Sequence, residues 1–142
     1  MRQSKIVQLS LCVALMVAAA GCGGNANTTA GTAGVRVTDV TLGKAVGGDK
    51  AITDRADSFK PNDTIYASVA TEGSAQSATL RAKWSFENGQ LVDESTRAIA
   101  PSNKERTEFH ISKPDGWPAG KYKLEVFLND QLAETKNFDV GS

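Results

Sequence analysis

The chain is poor in the side chains that do most enzyme chemistry. It has one histidine, His110, and only two cysteines, Cys12 and Cys22, in 142 residues. Structural zinc sites need clusters of histidine and cysteine, and one histidine cannot supply one. A serine-histidine-carboxylate triad would have to be built on His110 alone. No glycine-rich loop sits at a strand-to-helix turn to cradle phosphate, and Gly47-Gly48 reads as a plain loop. Basic residues number 16 and acidic residues 16, with both signs interspersed, so no basic stripe is present to track nucleic acid. Long apolar runs are missing too. The one candidate, residues 6–20, is shorter than the roughly 20 residues a spanning helix needs and already carries Gln8 and Ser10.

That run has a pattern of its own. Arg2 and Lys5 precede it, and Ala19-Ala20-Gly21-Cys22 closes it. A basic start, an apolar stretch of about fifteen residues and a small-residue exit make a secretory leader. With cysteine directly after the small residues, the segment resembles a bacterial lipoprotein signal and its lipobox, with Ala19 where leucine is usual. The resemblance implies removal of residues 1–21 and a diacylglycerol on Cys22, with membrane attachment through two or more acyl chains. It also implies a cell-envelope location, at the periplasmic face or the cell surface. The alternative is an ordinary leader cut after Ala20 or Gly21, with Cys22 a bystander.

Arg2 and Lys5 leave with the leader, so 14 basic residues face 16 acidic ones, a net charge of −2. No thiol other than Cys22 remains, so no internal disulfide can brace the domain, although the envelope would permit one. Stability then rests on a hydrophobic core. Residues 23–34 read GGNANTTAGTAG, without charge, aromatic or apolar face. Such a stretch cannot order itself. With Cys22 it is expected to act as a lipidated tether over 22–34, its twelve linker residues spanning about 20 Å. Residues 35–142 suffice for one domain.

That domain is written in strands. Val35 and Val37 begin an alternation of period two. Ile65, Ala67 and Val69 continue it, followed by Leu80, Ala82, Trp84 and Phe86. Phe109 and Ile111 flank His110, and Tyr122, Leu124, Val126 and Leu128 alternate with polar residues and Phe127. Asn88-Gly89 and Asn129-Asp130 are hairpin signals, because their residues tolerate positive φ. Pro61-Asn62-Asp63 and Pro114-Asp115-Gly116 mark loops. The expected class is all-β, a single two-sheet sandwich. Trp84 in mid-strand and Gly120-Lys121-Tyr122-Lys123-Leu124 resemble the buried tryptophan and the tyrosine corner of immunoglobulin-like domains. With Phe59-Lys60-Pro61-Asn62-Asp63, Gly116-Trp117-Pro118 and the closing Phe138-Asp139-Val140, the segment resembles a bacterial immunoglobulin-like or fibronectin type III-like module. That resemblance carries no catalytic residues and implies a structural or adhesive role.

The remaining chemistry is sparse. Alternation turns His110 outward, as a solvated strand histidine. Asp49, Asp54, Asp57 and Asp63 share one loop-rich stretch but lack the alternating run of an EF-hand, so turn caps and solvated acids are expected and no metal. Asp93 and Glu94 are adjacent on a strand and point to opposite faces. Tyr66 and Phe127 fall out of phase with their strands' core positions, and Trp117 lies in a loop that Pro118 stiffens. These three are the candidate contacts for a ligand or partner, with Trp117 alternatively plugging the end of the sandwich. The expectation is a lipid-anchored envelope protein that is not an enzyme, uses no cofactor, binds no nucleic acid and meets an envelope protein partner. The alternatives are a periplasmic protease inhibitor, with the loop 112–120 entering a protease, or a carbohydrate-binding module using Trp117 and Tyr66.

Overall fold

The computed structural model describes residues 31–32 and 34–141; the leader, Cys22 and the tether residues 23–30 lie outside them. Ten strands follow in order: β1 (Gly31–Thr32), β2 (Val35–Val46), β3 (Ile52–Arg55), β4 (Ser58–Phe59), β5 (Ile65–Ser74), β6 (Ala78–Phe86), β7 (Gln90–Ile99), β8 (Ser102–Ile111), β9 (Gly120–Leu128) and β10 (Gln131–Val140). No helix occurs among the described residues. The first sheet runs β1-β2-β5-β8, with β3 added to β2, and the second runs β4-β10-β9-β6-β7. Pairing is antiparallel throughout except for β4, which lies parallel to β10. Two residues from the expected tether, Gly31 and Thr32, pair with Arg36 and Val35 of β2.

The core lies between the sheets and takes alternate residues from β5, β6 and β9 and from parts of β2, β8 and β10. Ile65, Ala67 and Val69 face Leu80, Ala82, Trp84, Leu124, Val126 and Leu128, all fully buried. Alternation is interrupted where a strand bulges. In β2 the register shifts between Val37 and Asp39, so the inward set passes from the odd positions Val35 and Val37 to the even positions Val40 and Leu42. One extra residue reverses which face each later side chain occupies.

Aromatic rings knit the inner face of the second sheet, from β4 through β10 and β9 to β6. Trp84 meets Phe138 edge-on at 5.9 Å, Phe138 stacks on Tyr122 at 5.3 Å, and Phe59 meets Phe138 edge-on at 5.5 Å. These are favoured aromatic geometries. Trp84 is fully enclosed, and its indole N–H has no hydrogen-bond partner among the described residues. An unsatisfied donor costs about 1–3 kcal/mol, comparable with the burial gain of a large side chain, so tight packing around the ring must offset it.

The turns divide into one as expected and one not. Asn129 and Asp130 both have positive φ, at 48° and 65°, and join Leu128 directly to Gln131. This is the two-residue hairpin that matches strand twist. At the other hairpin the positive φ values fall on Glu87 (49°) and Gly89 (97°), not on Asn88. The Glu87 amide donates to Lys121 O at 2.8 Å, and its carboxylate accepts from the Lys121 amide at 3.2 Å. Bonding to β9 therefore sets that turn, and the loop runs to three residues.

The tyrosine corner is formed. Tyr122 is 3% exposed and its hydroxyl donates to Pro118 O at 2.6 Å. Burial, and secondarily the charge of Glu87, push the phenol above its ordinary value and keep it a donor. Tyr122→Phe keeps the ring but removes the bond and should cost about 1–1.5 kcal/mol. The shift in the urea unfolding midpoint measures it, and an unchanged midpoint would show the corner to be idle.

Candidate functional site

The three aromatic candidates occupy three separate places. Trp117 is buried, at 7% exposure, and its ring closes the end of the sandwich beside Tyr122, 6.3 Å between centroids. Its backbone amide donates to Pro61 O at 2.7 Å and its indole N–H to Asp63 O at 3.1 Å. Both polar handles are thereby committed to the loop before β5. As an outward contact for a ligand, Trp117 is set aside, since its exposed area is too small to stack on anything. It plugs the end.

Tyr66 lies on the outer face of the first sheet. It is half-buried and sits opposite His110, with 5.5 Å between rings. His110 points outward, and its Nδ1 lies 2.5 Å from Glu108 Oε1. Phe127 lies on the outer face of the second sheet, half-buried under the Arg81 guanidinium, whose carbon is 4.3 Å from the ring centroid. Such a cation over a ring contributes about 0.5–1 kcal/mol at an exposed site. Arg81 also reaches Glu94 at 3.8 Å and Asp130 at 3.7 Å. Tyr66 and Phe127 thus face away from each other across the whole sandwich and build no common site.

A concavity lies elsewhere. A groove of about 600 Å³ opens between β7 and β8, the edge strands on one side of the two sheets. Its walls include Phe86, Leu91, Val92, Ile111, Trp117 and Tyr122, with Asp93, His110 and Lys113 at the rim. Leu91 is 56% exposed at the lip. Sequence reasoning missed this groove because β7 is exposed on both faces and shows no apolar alternation. The one available signal was Leu91-Val92, a short apolar pair just after a turn.

A second recess of about 500 Å³ is polar. The β2–β3 hairpin arches over the outer face of the first sheet, and Thr38, Thr41, Ser68 and Arg106 line the space beneath. Asp49 at the hairpin tip reaches Arg106 at 4.0 Å. Asp49 also accepts the Ala51 amide at 3.1 Å, which makes it a turn cap. Asp54 lies on β3 rather than in a loop. Among the described residues no group of three or more His, Cys, Asp or Glu could hold a metal.

Asp63 is the other capping acid. Its Oδ2 accepts the Lys60 amide at 2.8 Å and pairs with Lys44 Nζ at 3.3 Å. The Lys60 amide, with Lys44, holds this carboxyl below the ordinary 3.8 against a smaller opposing effect of burial.

Two packed sheets, a parallel β4–β10 closure and a bonded corner tyrosine define an immunoglobulin-like β-sandwich. No family model matches the chain, and no curated protein matches its sequence. Solved structures do. An immunoglobulin-like protein from Pseudomonas aeruginosa aligns at 18% identity and TM-score 0.49, over 75% of this chain and 96% of that one. An alkylpurine DNA glycosylase from Pseudomonas fluorescens, bound to DNA containing an abasic site analog, aligns at 13% identity and TM-score 0.50, over 77% of this chain but only 31% of the glycosylase. A CARDB domain from Pyrococcus furiosus, in complex with di-metal ions, aligns at 14% identity and TM-score 0.42, over 81% of this chain and 96% of that one. At such identities the likeness bears on the fold alone.

A carboxyl with a depressed folded value stabilises above its unfolded value and loses that contribution as pH falls through the folded one. Asp63→Ala should therefore be less stable than the parent chain at pH 7, with the gap closing below about pH 3.8. Urea midpoints at pH 7 and pH 3 measure it. A gap that is the same at both would mean that the ionised carboxylate contributes nothing.

Proposed function

We propose that this is a lipid-anchored envelope protein whose sandwich binds or supports another envelope component without catalysis. The acyl chains on Cys22 hold it, the tether gives slack, and the sandwich presents its surfaces to a partner. The observation that carries the reading is the open side between β7 and β8. There an exposed Leu91 stands at the lip of a groove of mixed polar and apolar lining, flanked by two long edge strands. An extended segment from a partner can pair with an edge strand through its backbone and set alternate side chains into such a groove. Leu91 and the buried wall behind it would supply the apolar part of the contact.

Two measurements test the two halves. The native protein should enter the detergent phase on cloud-point partition, and Cys22→Ser should stay in the aqueous phase. Equal partition of both would remove the anchor. A photocrosslinking residue at position 91, in intact envelopes, should give a discrete adduct that the same residue at position 57 does not. No adduct at either position, or the same adducts at both, would remove the groove as the binding surface.

A further inference from the structure

The edge strand β7 carries a charge pattern that its own fold leaves unanswered. Asp93 and Arg97 lie opposite Trp84 and Leu80 of β6, so both are directed to the inner side of the sheet at its open margin. Both are exposed. Neither has an ion-pair partner among the described residues; Arg97 only lies over the Phe109 ring, at 5.6 Å. They cannot reach each other, since four strand residues separate them by about 13 Å. On the other edge, β8, Glu108 is paired with His110 and Arg106 with Asp49, while the adjacent Lys104 and Glu105 carry opposite charges side by side along the strand.

We infer that β7 is an interface for a second copy of this chain, joined antiparallel about a two-fold axis through Ser95. The argument is one of register. Two identical antiparallel strands related by a two-fold axis normal to the sheet must pair on a central residue, because directly opposed residues share a face. Centring on Asp93, Glu94 or Arg97 sets that charge against its own copy, which is unfavourable. Centring on Thr96 sets Arg97 against Ser95 and leaves Asp93 without a charge partner. Centring on Ser95 sets Asp93 against Arg97 of the second copy, twice, and Glu94 against Thr96. Every charge directed inward on the strand is then matched. The pairing needs only residues 93–97, beyond the bulge that displaces Val92 between Trp84 and Ser85 of the facing strand. The end of the groove at Leu91 stays outside it. Inward charges on an edge strand ordinarily guard it against indiscriminate pairing; here they leave one register open, and it is self-complementary.

Sedimentation equilibrium on the purified full chain in detergent tests this. The parent chain should form dimers. Asp93→Arg and Arg97→Asp each set like charges opposite in two places and should weaken the dimer at least about tenfold. The double swap Asp93→Arg/Arg97→Asp restores opposite charges and should recover the dissociation constant to within about threefold. A strictly monomeric parent overturns the inference and leaves the charges as a guard on the edge. So does a double swap no tighter than the single variants. Should a variant fail to fold, Ser95→Cys in a chain with Cys12→Ser and Cys22→Ser gives a separate reading. A short bismaleimide should join these chains in pairs, and should leave Asp57→Cys chains of the same background single. Equal joining at both positions, or at neither, goes against the interface.

Discussion

One contact set at the end of the sandwich governs how the rest is arranged: Tyr122 and Trp117 fastened to three backbone carbonyls on two loops. The Tyr122 hydroxyl closes on Pro118, and Trp117 bonds to Pro61 and Asp63 through its two N–H groups. The same Tyr122 ring stacks on Phe138, which in turn meets Trp84 and Phe59. A column of rings therefore runs from the loop end into the middle of the core. With no disulfide available among the described residues, this column does what a covalent bridge does elsewhere. Through Trp117 it ties the start of β9 to the loop before β5, far away in sequence, and it is made of rings whose packing is directional.

That rigidity bears on how the molecule can act. Trp117 is spent on closure, so the end of the sandwich offers little surface for recognition. The outer sheet faces carry mixed charges answered locally, as with Arg81 between Glu94 and Asp130 and Lys123 beside Glu125 at 2.6 Å. Exposed pairs of this sort contribute little to stability. What remains available is the open side of the sandwich, where two edge strands border a groove of mixed lining. The proposed display function is centred on the Leu91 end of that side and the proposed self-pairing on residues 93–97, the two meeting at Asp93.

The legible parts of the sequence were those where one face of a strand is buried and the other wet. β9 is the clearest case, with Tyr122, Leu124, Val126 and Leu128 inward and the intervening residues outward. Asn129-Asp130 was legible as a hairpin because both residues accept positive φ without help. β7 was not legible, since an edge strand has no need of an apolar face. The groove it borders was hidden with it. The bulges at Thr38, Val92 and Ala133 were also invisible: each is one extra residue whose presence depends on the partner strand's register. Asn88-Gly89 shows the same dependence. A strong local turn signal yielded when Glu87 found a better pair of bonds on β9.

Of the candidate residues, alternation placed Tyr66 and Phe127 outward, on half-buried positions, but could not say that they lie on opposite sides of the molecule. Nor could it decide whether Trp117 faced solvent or filled the end of the sandwich. The sequence by itself determined the class of the fold, the identity of most core residues and the leader pattern ending at Cys22, because these depend on periodicity and composition along one stretch of chain. The tertiary structure alone decided register, bulges, the burial of Trp117, the groove at Leu91 and the unmatched charges of β7. Those depend on which strands become neighbours, and that choice is made by the whole core at once.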